Sequence, residues 1–156
     1  MENIFEILSG KWQGKGNASY PTIEPAMYFE ELVIYNNDEI NSAVNYIQKS
    51  WQVVDDVRIK PLSWECGFIV KKTNGIYELA NSNKGGRMEL FTGNLAILNN
   101  KYYLEFISKN IINDPRILKT KRKFWFDEKT LSYEVYMHTN KVKQLNKHLE
   151  ASLTRI

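Results

Sequence analysis

Turn chemistry recurs about every 8 to 12 residues along this chain, and no long segment between the turns carries a convincing helical period. Asn36-Asn37-Asp38, Thr73-Asn74-Gly75, Ser82 to Gly86, Asn99-Asn100 and Asp127 to Lys129 are compact turn signals. Longer connections fall at 55–61 and 110–115. Between them lie runs rich in aromatic and β-branched residues: 28–35, 39–53, 61–70, 76–80, 88–98 (interrupted at Gly93-Asn94), 102–107, 118–126, 131–139 and 147–156. Segment 39–53 also offers a helical spacing through Ile40, Val44 and Ile47, but the hairpin signal before it selects a strand. Met1 to Leu8, with Asn3 as a cap, reads as one or two helical turns closing an end of the fold. The expectation is an all-β protein: an antiparallel up-and-down β-barrel of about ten strands with a short N-terminal helical segment, one domain over 1–156. A barrel of that size is wide enough to keep a cavity.

The first strand is the most informative stretch. In GKWQGKGNASYPTIEP, from Gly10 to Pro25, Trp12, Gly14 and Gly16 share one face and Lys11, Gln13 and Lys15 the other. That is the two-residue period of a half-buried strand, with Trp12 turned to the core. Two glycines at alternate inner positions need a cause, either sharp curvature or close approach of a second backbone or a ligand. Pro21 and Pro25 hold the residues before them extended.

Composition narrows the chemistry. A net charge of +3 is too mild for a dedicated nucleic-acid binder, and one cysteine allows no intrachain disulfide, which fits a reducing compartment. No signal-peptide pattern or membrane-length apolar run is present, so the expectation is a cytoplasmic protein without a membrane or nucleic-acid partner. Neither a phosphate-binding glycine loop nor a nucleophile elbow occurs. In KTKRK, Lys119, Lys121 and Lys123 alternate with Thr120 and Arg122, so the lysines form a solvated outer face.

Two histidines exclude a multi-histidine metal site. His138 alternates with the apolar set Leu131, Tyr133, Val135 and Met137 and is expected to be largely exposed. His148 is out of phase with Leu149, Ala151 and Leu153, so strict alternation turns it outward. It faces inward only at a strand mouth or on a bulge. Cys66 shares a face with Trp64 and Phe68, apolar surroundings that disfavour a thiolate ligand.

Three separated segments resemble the nitrobindin family of haem-binding β-barrels: Gly10 to Pro25, PLSWECGF at 61–68, and QLNKHLEASL at 144–153. The resemblance implies a barrel of fatty-acid-binding-protein shape holding haem b through His148, with Ser63, Trp12, Thr22 and Ile23 at the cofactor site. It implies nitric oxide and peroxynitrite as small-molecule partners and isomerisation of peroxynitrite as the activity. The sequence departs from the family pattern at Ser63, which stands where the family has a distal-side histidine, and at Gln144 and Lys147, which replace prolines. The turn SNKGGRME is longer than its family counterpart. A reading of a different class follows from the barrel alone: a non-enzymatic carrier of a fatty acid or another small apolar ligand.

Overall fold

The computed structural model describes residues 3–36 and 38–156. The start of the expected helix, Met1 and Glu2, and the centre of the 36–38 turn, Asn37, lie outside the described residues. Ten antiparallel strands follow one short helix and close in the order β1-β10-β9-β8-β7-β6-β5-β4-β3-β2. They are β1 (Gly10–Tyr20), β2 (Ile23–Tyr35), β3 (Ala43–Val54), β4 (Val57–Lys71), β5 (Tyr77–Asn83), β6 (Met88–Leu98), β7 (Lys101–Ile112), β8 (Ile117–Phe126), β9 (Thr130–Thr139) and β10 (Asn146–Arg155), after α1 (Ile4–Leu8). Up-and-down winding puts the β1–β2, β3–β4, β5–β6, β7–β8 and β9–β10 hairpins at one end, the mouth, and α1 with the other four connections at the opposite end. No described helix is long and apolar enough to cross a membrane.

The helical end is sealed. The Asn3 side chain accepts from the Phe5 amide at 3.1 Å, and Ile4, Phe5, Ile7 and Leu8 are all buried. Trp12, 1% exposed, donates its indole N–H to the Leu8 carbonyl at 2.9 Å. The Arg155 guanidinium lies 4.3 Å from the Trp12 ring centre and donates to the Ile7 and Ser9 carbonyls, satisfying groups that a helix end leaves open. Lys11 and Lys15 are exposed, as the alternation requires.

Backbone approach accounts for the paired glycines. A Cβ on Gly14 would overlap the Ser152 carbonyl of β10, and one on Gly16 would meet the Glu150 carbonyl and the Tyr28 ring. Gly14→Ala must push two strand backbones apart, with an expected loss of roughly 1–3 kcal/mol, typical of overpacking. A urea midpoint unchanged from the parent would show that the wall yields freely there. Gly93 plays the same part against the Glu105 carbonyl, so β6 runs through the expected interruption unbroken.

Further boundaries differ from expectation: β2 begins at Ile23 rather than Tyr28, and β5 runs on to Asn83. The 55–61 connection is a two-residue hairpin, Asp55-Asp56, both at positive φ, and β4 continues through Pro61. Proline is tolerated because two bulges interrupt the β3–β4 ladder there, and β5 pairs with β4 only from Glu65 onward. Strand β3 starts at Ala43, not 39, because the Asp38 carboxylate accepts from the Ile40 and Ser42 amides and the Ser42 hydroxyl. Strand β7 extends to Ile112 and turns at Asn113, which has φ 65°.

Candidate functional site

A cavity of about 670 Å³ opens at the mouth and runs down the barrel axis, within the size range of ligand and cofactor sites. Thr22, Ile23, Arg116, Lys141 and His148 line it, as do Ser63 and the deeper Gln48, Glu65, Arg122 and Tyr133.

His148 reaches this cavity through a bulge. Lys147 pairs with Tyr136 and Leu149 with Val135, so His148 is left between them without a partner on β9. One extra residue resets the alternation, which lets His148 and Leu149 both line the cavity. The His148 Nδ1 lies 3.3 Å from the Ser19 carbonyl oxygen. A carbonyl only accepts, so Nδ1 carries the proton and Nε2 keeps the lone pair. The ring meets Tyr20 edge-on, with centroids 5.5 Å apart, and the Tyr20 hydroxyl donates to the Met137 carbonyl at 2.8 Å. Tyr20 and Met137 are buried with Ile117 in a small apolar cluster at the mouth, separate from the main core. Burial pushes the His148 pKa below its ordinary value, the Ser19 bond opposing it in part. The imidazole is therefore neutral at neutral pH.

Ser63 lines the cavity across the barrel from β10, its hydroxyl 2.6 Å from that of Ser50. Thr22 and Ile23 stand at the mouth. Trp12 is not brought to them: it sits in the core under α1 and does not line the cavity. His138 lies on the outer face opposite Lys119, but half-buried between strands, where the alternation alone led us to expect it largely exposed. Cys66 is exposed on the outside of the barrel, and its neighbours Trp64 and Phe68 are exposed too, not packed around it.

The floor is a polar network inside an apolar wall. Arg122, 7% exposed, donates to both oxygens of Glu65 at 2.6 and 3.0 Å and to Glu89 at 3.1 Å. Glu65 also accepts from Tyr46 at 2.7 Å, and Glu89 from Thr120 at 2.8 Å. Burial alone would raise Glu65, but the Arg122 charge and hydrogen bonds outweigh it and hold the carboxyl below its usual range. Glu30 is fully buried, has no ion-pair partner among the described residues, and accepts from Tyr133 and Gln48. Burial pushes its pKa up from 4.5 to about 7.

That shift has a defined sign. Between about pH 4.5 and 7 the native protein keeps a proton on Glu30 that the unfolded chain has released. Stability from this group is full below the unfolded pKa and falls as pH rises to the folded one, by about 3 kcal/mol. Neutral His148 contributes with the opposite sign, so the comparison must isolate Glu30. Glu30→Gln keeps the shape and removes the titration. Urea denaturation of parent and variant is expected to show the variant gaining on the parent from pH 5 to pH 8. A stability difference independent of pH would return Glu30 to an ordinary carboxylate.

Sequence reasoning did not assign these floor residues a role. The available signal was a charged residue sharing a strand face with buried ones: Glu30 between Tyr28 and Leu32, and Arg122 between Thr120 and Phe124.

Comparison with known proteins gives a consistent picture. A family model described as "THAP4-like, heme-binding beta-barrel domain" matches residues 4–155. Peroxynitrite isomerase 1 of Mycolicibacterium paratuberculosis is 32% identical over 152 residues, covering 95% of this chain and 90% of that one. The crystal structure of Rv2717c from M. tuberculosis superposes with a TM-score of 0.86 at 28% identity, covering 98% of this chain and 95% of that one. An S-type phycobiliprotein lyase from Guillardia theta shares the fold alone, at 12% identity and a TM-score of 0.64 over 98% of this chain and 90% of that one.

Proposed function

Because this chain belongs to the THAP4-like, haem-binding β-barrel family, we propose that it seats haem b in the barrel with His148 as the iron ligand and isomerises peroxynitrite to nitrate. The observation that carries the reading is the bulge at His148. It brings a neutral imidazole to the cavity with Nδ1 committed to the Ser19 carbonyl. Histidines that ligate metals are typically oriented by such a bond from the other ring nitrogen. The residues present fit the group in two more respects. Apolar Ile23, Val135, Met137 and Leu149 line the cavity beside the histidine, and Arg116 and Lys141 at the mouth would meet the carboxylates of a bound porphyrin.

Bound haem supplies a Lewis-acidic, redox-active iron. The chain's own contributions are to fix the tautomer of His148, to shield it with the Tyr20 cluster, and to offer weak donors elsewhere. Ser63 and Ser50 have hydroxyls bonded to each other, and His138 lies outside the barrel, so no second protein nitrogen is expected on the iron. Nitric oxide is the matching diatomic ligand. The peroxynitrite activity is supported by the names of relatives that cover most of the chain.

The carrier reading is less well supported. A fatty-acid head group drawn to the deep cation would meet Arg122 already bonded to Glu65 and Glu89, with Glu30 near enough to interact electrostatically. The test is a haemin titration of the purified apoprotein. A Soret band saturating at one haem per chain with a high-spin ferric spectrum is expected, and the loaded protein should speed conversion of peroxynitrite to nitrate. No spectral change at stoichiometric haemin, together with tight binding of a fluorescent fatty acid, would put the carrier first.

A further inference from the structure

The charge of this protein is concentrated at the mouth. Residues 20–24, 53–60, 82–89, 109–119 and 138–148, the five mouth hairpins, carry ten basic against five acidic residues. Their net charge of +5 exceeds the +3 of the whole chain, so the remainder of the barrel is net acidic. The excess is one-sided. It lies on the β5–β6, β7–β8 and β9–β10 hairpins, where Lys84, Lys109, Lys119, Lys141 and Lys143 are all exposed. Among the described residues none of these five lysines has an ion-pair partner.

Apolar side chains stand among them. Ile112 and Leu118, flanking the β7–β8 turn, are 49% and 55% exposed, and Ile23 and Val57 stand out on the opposite hairpins. Exposed apolar groups interleaved with unpaired lysines are the signature of a surface that lies on a lipid interface. A dedicated single-strand nucleic-acid surface would need aromatic platforms beside the lysines. One exposed aromatic, Trp64, stands beside the β5–β6 hairpin, where its carbonyl accepts from the Lys84 amide, but the β7–β8 and β9–β10 hairpins that carry most of the excess charge hold no Trp, Tyr or Phe.

We propose that the mouth of the barrel docks on an anionic lipid bilayer, with the basic hairpins against the head groups and Ile112 and Leu118 entering the interface. Docked in this way, the cavity opens toward the membrane, where a flat apolar ligand such as haem partitions. This last consequence rests on the haem reading; the docking itself does not.

The test is flotation with vesicles of phosphatidylglycerol and phosphatidylcholine in equal parts, against pure phosphatidylcholine, at low and high salt. Binding to the anionic vesicles alone, released by salt, is expected. Lys109→Glu, Lys119→Glu and Lys143→Glu combined, none of which lines the cavity, should weaken that binding by about tenfold or more and leave haemin titration unchanged. The matched reversal Lys11→Glu, Lys71→Glu and Lys129→Glu at the closed end should bind as the parent does. Equal binding to neutral vesicles, equal loss in both triple variants, or tighter binding to single-stranded DNA than to vesicles would each overturn the proposal. A failure of haem binding with intact vesicle binding would fall on the haem reading alone.

Discussion

Replacing His148 with alanine is expected to weaken haem binding by at least about a hundredfold while the barrel stays folded. The first half follows from the proposed ligation: removing the imidazole would remove the bond that holds the iron, and effects of even the supporting shell reach tenfold to a hundredfold. The second half follows from the ladder. His148 has no partner on β9, and the β1 register ends at Leu149, so the ladder bonds of β10 do not depend on its side chain. Haemin titration followed by the Soret band measures the first, and the urea midpoint measures the second. If the variant binds haemin as tightly as the parent, the ligand has been misassigned; if it fails to fold, the bulge is structural.

The second large effect is expected at Arg122. Arg122→Met keeps length and apolar volume but strands Glu65 in the interior and leaves Glu89 with the Thr120 hydroxyl and the more distant Arg87, 3.8 Å away. Losing one member of a buried ion-pair network typically costs about 3–5 kcal/mol, because the remaining charges stay desolvated. The Glu65 carboxyl, held below its usual range by Arg122 in the parent, is expected to take up a proton in the variant, so the loss should shrink at acid pH. Adding Glu65→Gln and Glu89→Gln to the variant should recover part of the stability. Urea denaturation at pH 5 and pH 8 reads both effects. A loss below about 1 kcal/mol would mean that water enters the cavity floor and solvates the carboxylates.

How much of this was legible depends on distance along the chain. Alternation placed Trp12 inside and Lys11 and Lys15 outside, and put Thr120, Arg122 and Phe124 on the inner face of β8. Two-residue periods survive wherever a strand is regular. The course of β4 past Pro61 was not legible, since proline ordinarily ends pairing and only the bulges between β3 and β4 make room for it. Nor was the floor network, because Glu30, Glu65, Glu89 and Arg122 lie on four different strands and meet only when the barrel closes. His148 lies between these cases. Its phase allowed two orientations, and the resemblance of its segment to a known family, not its spacing, singled it out.

With His148 as the proposed donor, the bulge would separate donor identity from sheet construction. A side chain that pairs with neither neighbouring strand is a socket in the wall, open to other donors. Tyrosine, cysteine or methionine at 148 would present a phenolate, a thiolate or a thioether to the same cavity, on the same backbone, under the same Tyr20 cluster. The iron's potential and preference for ligands would then follow the atom inserted, while the ladders of the barrel carried on unaltered.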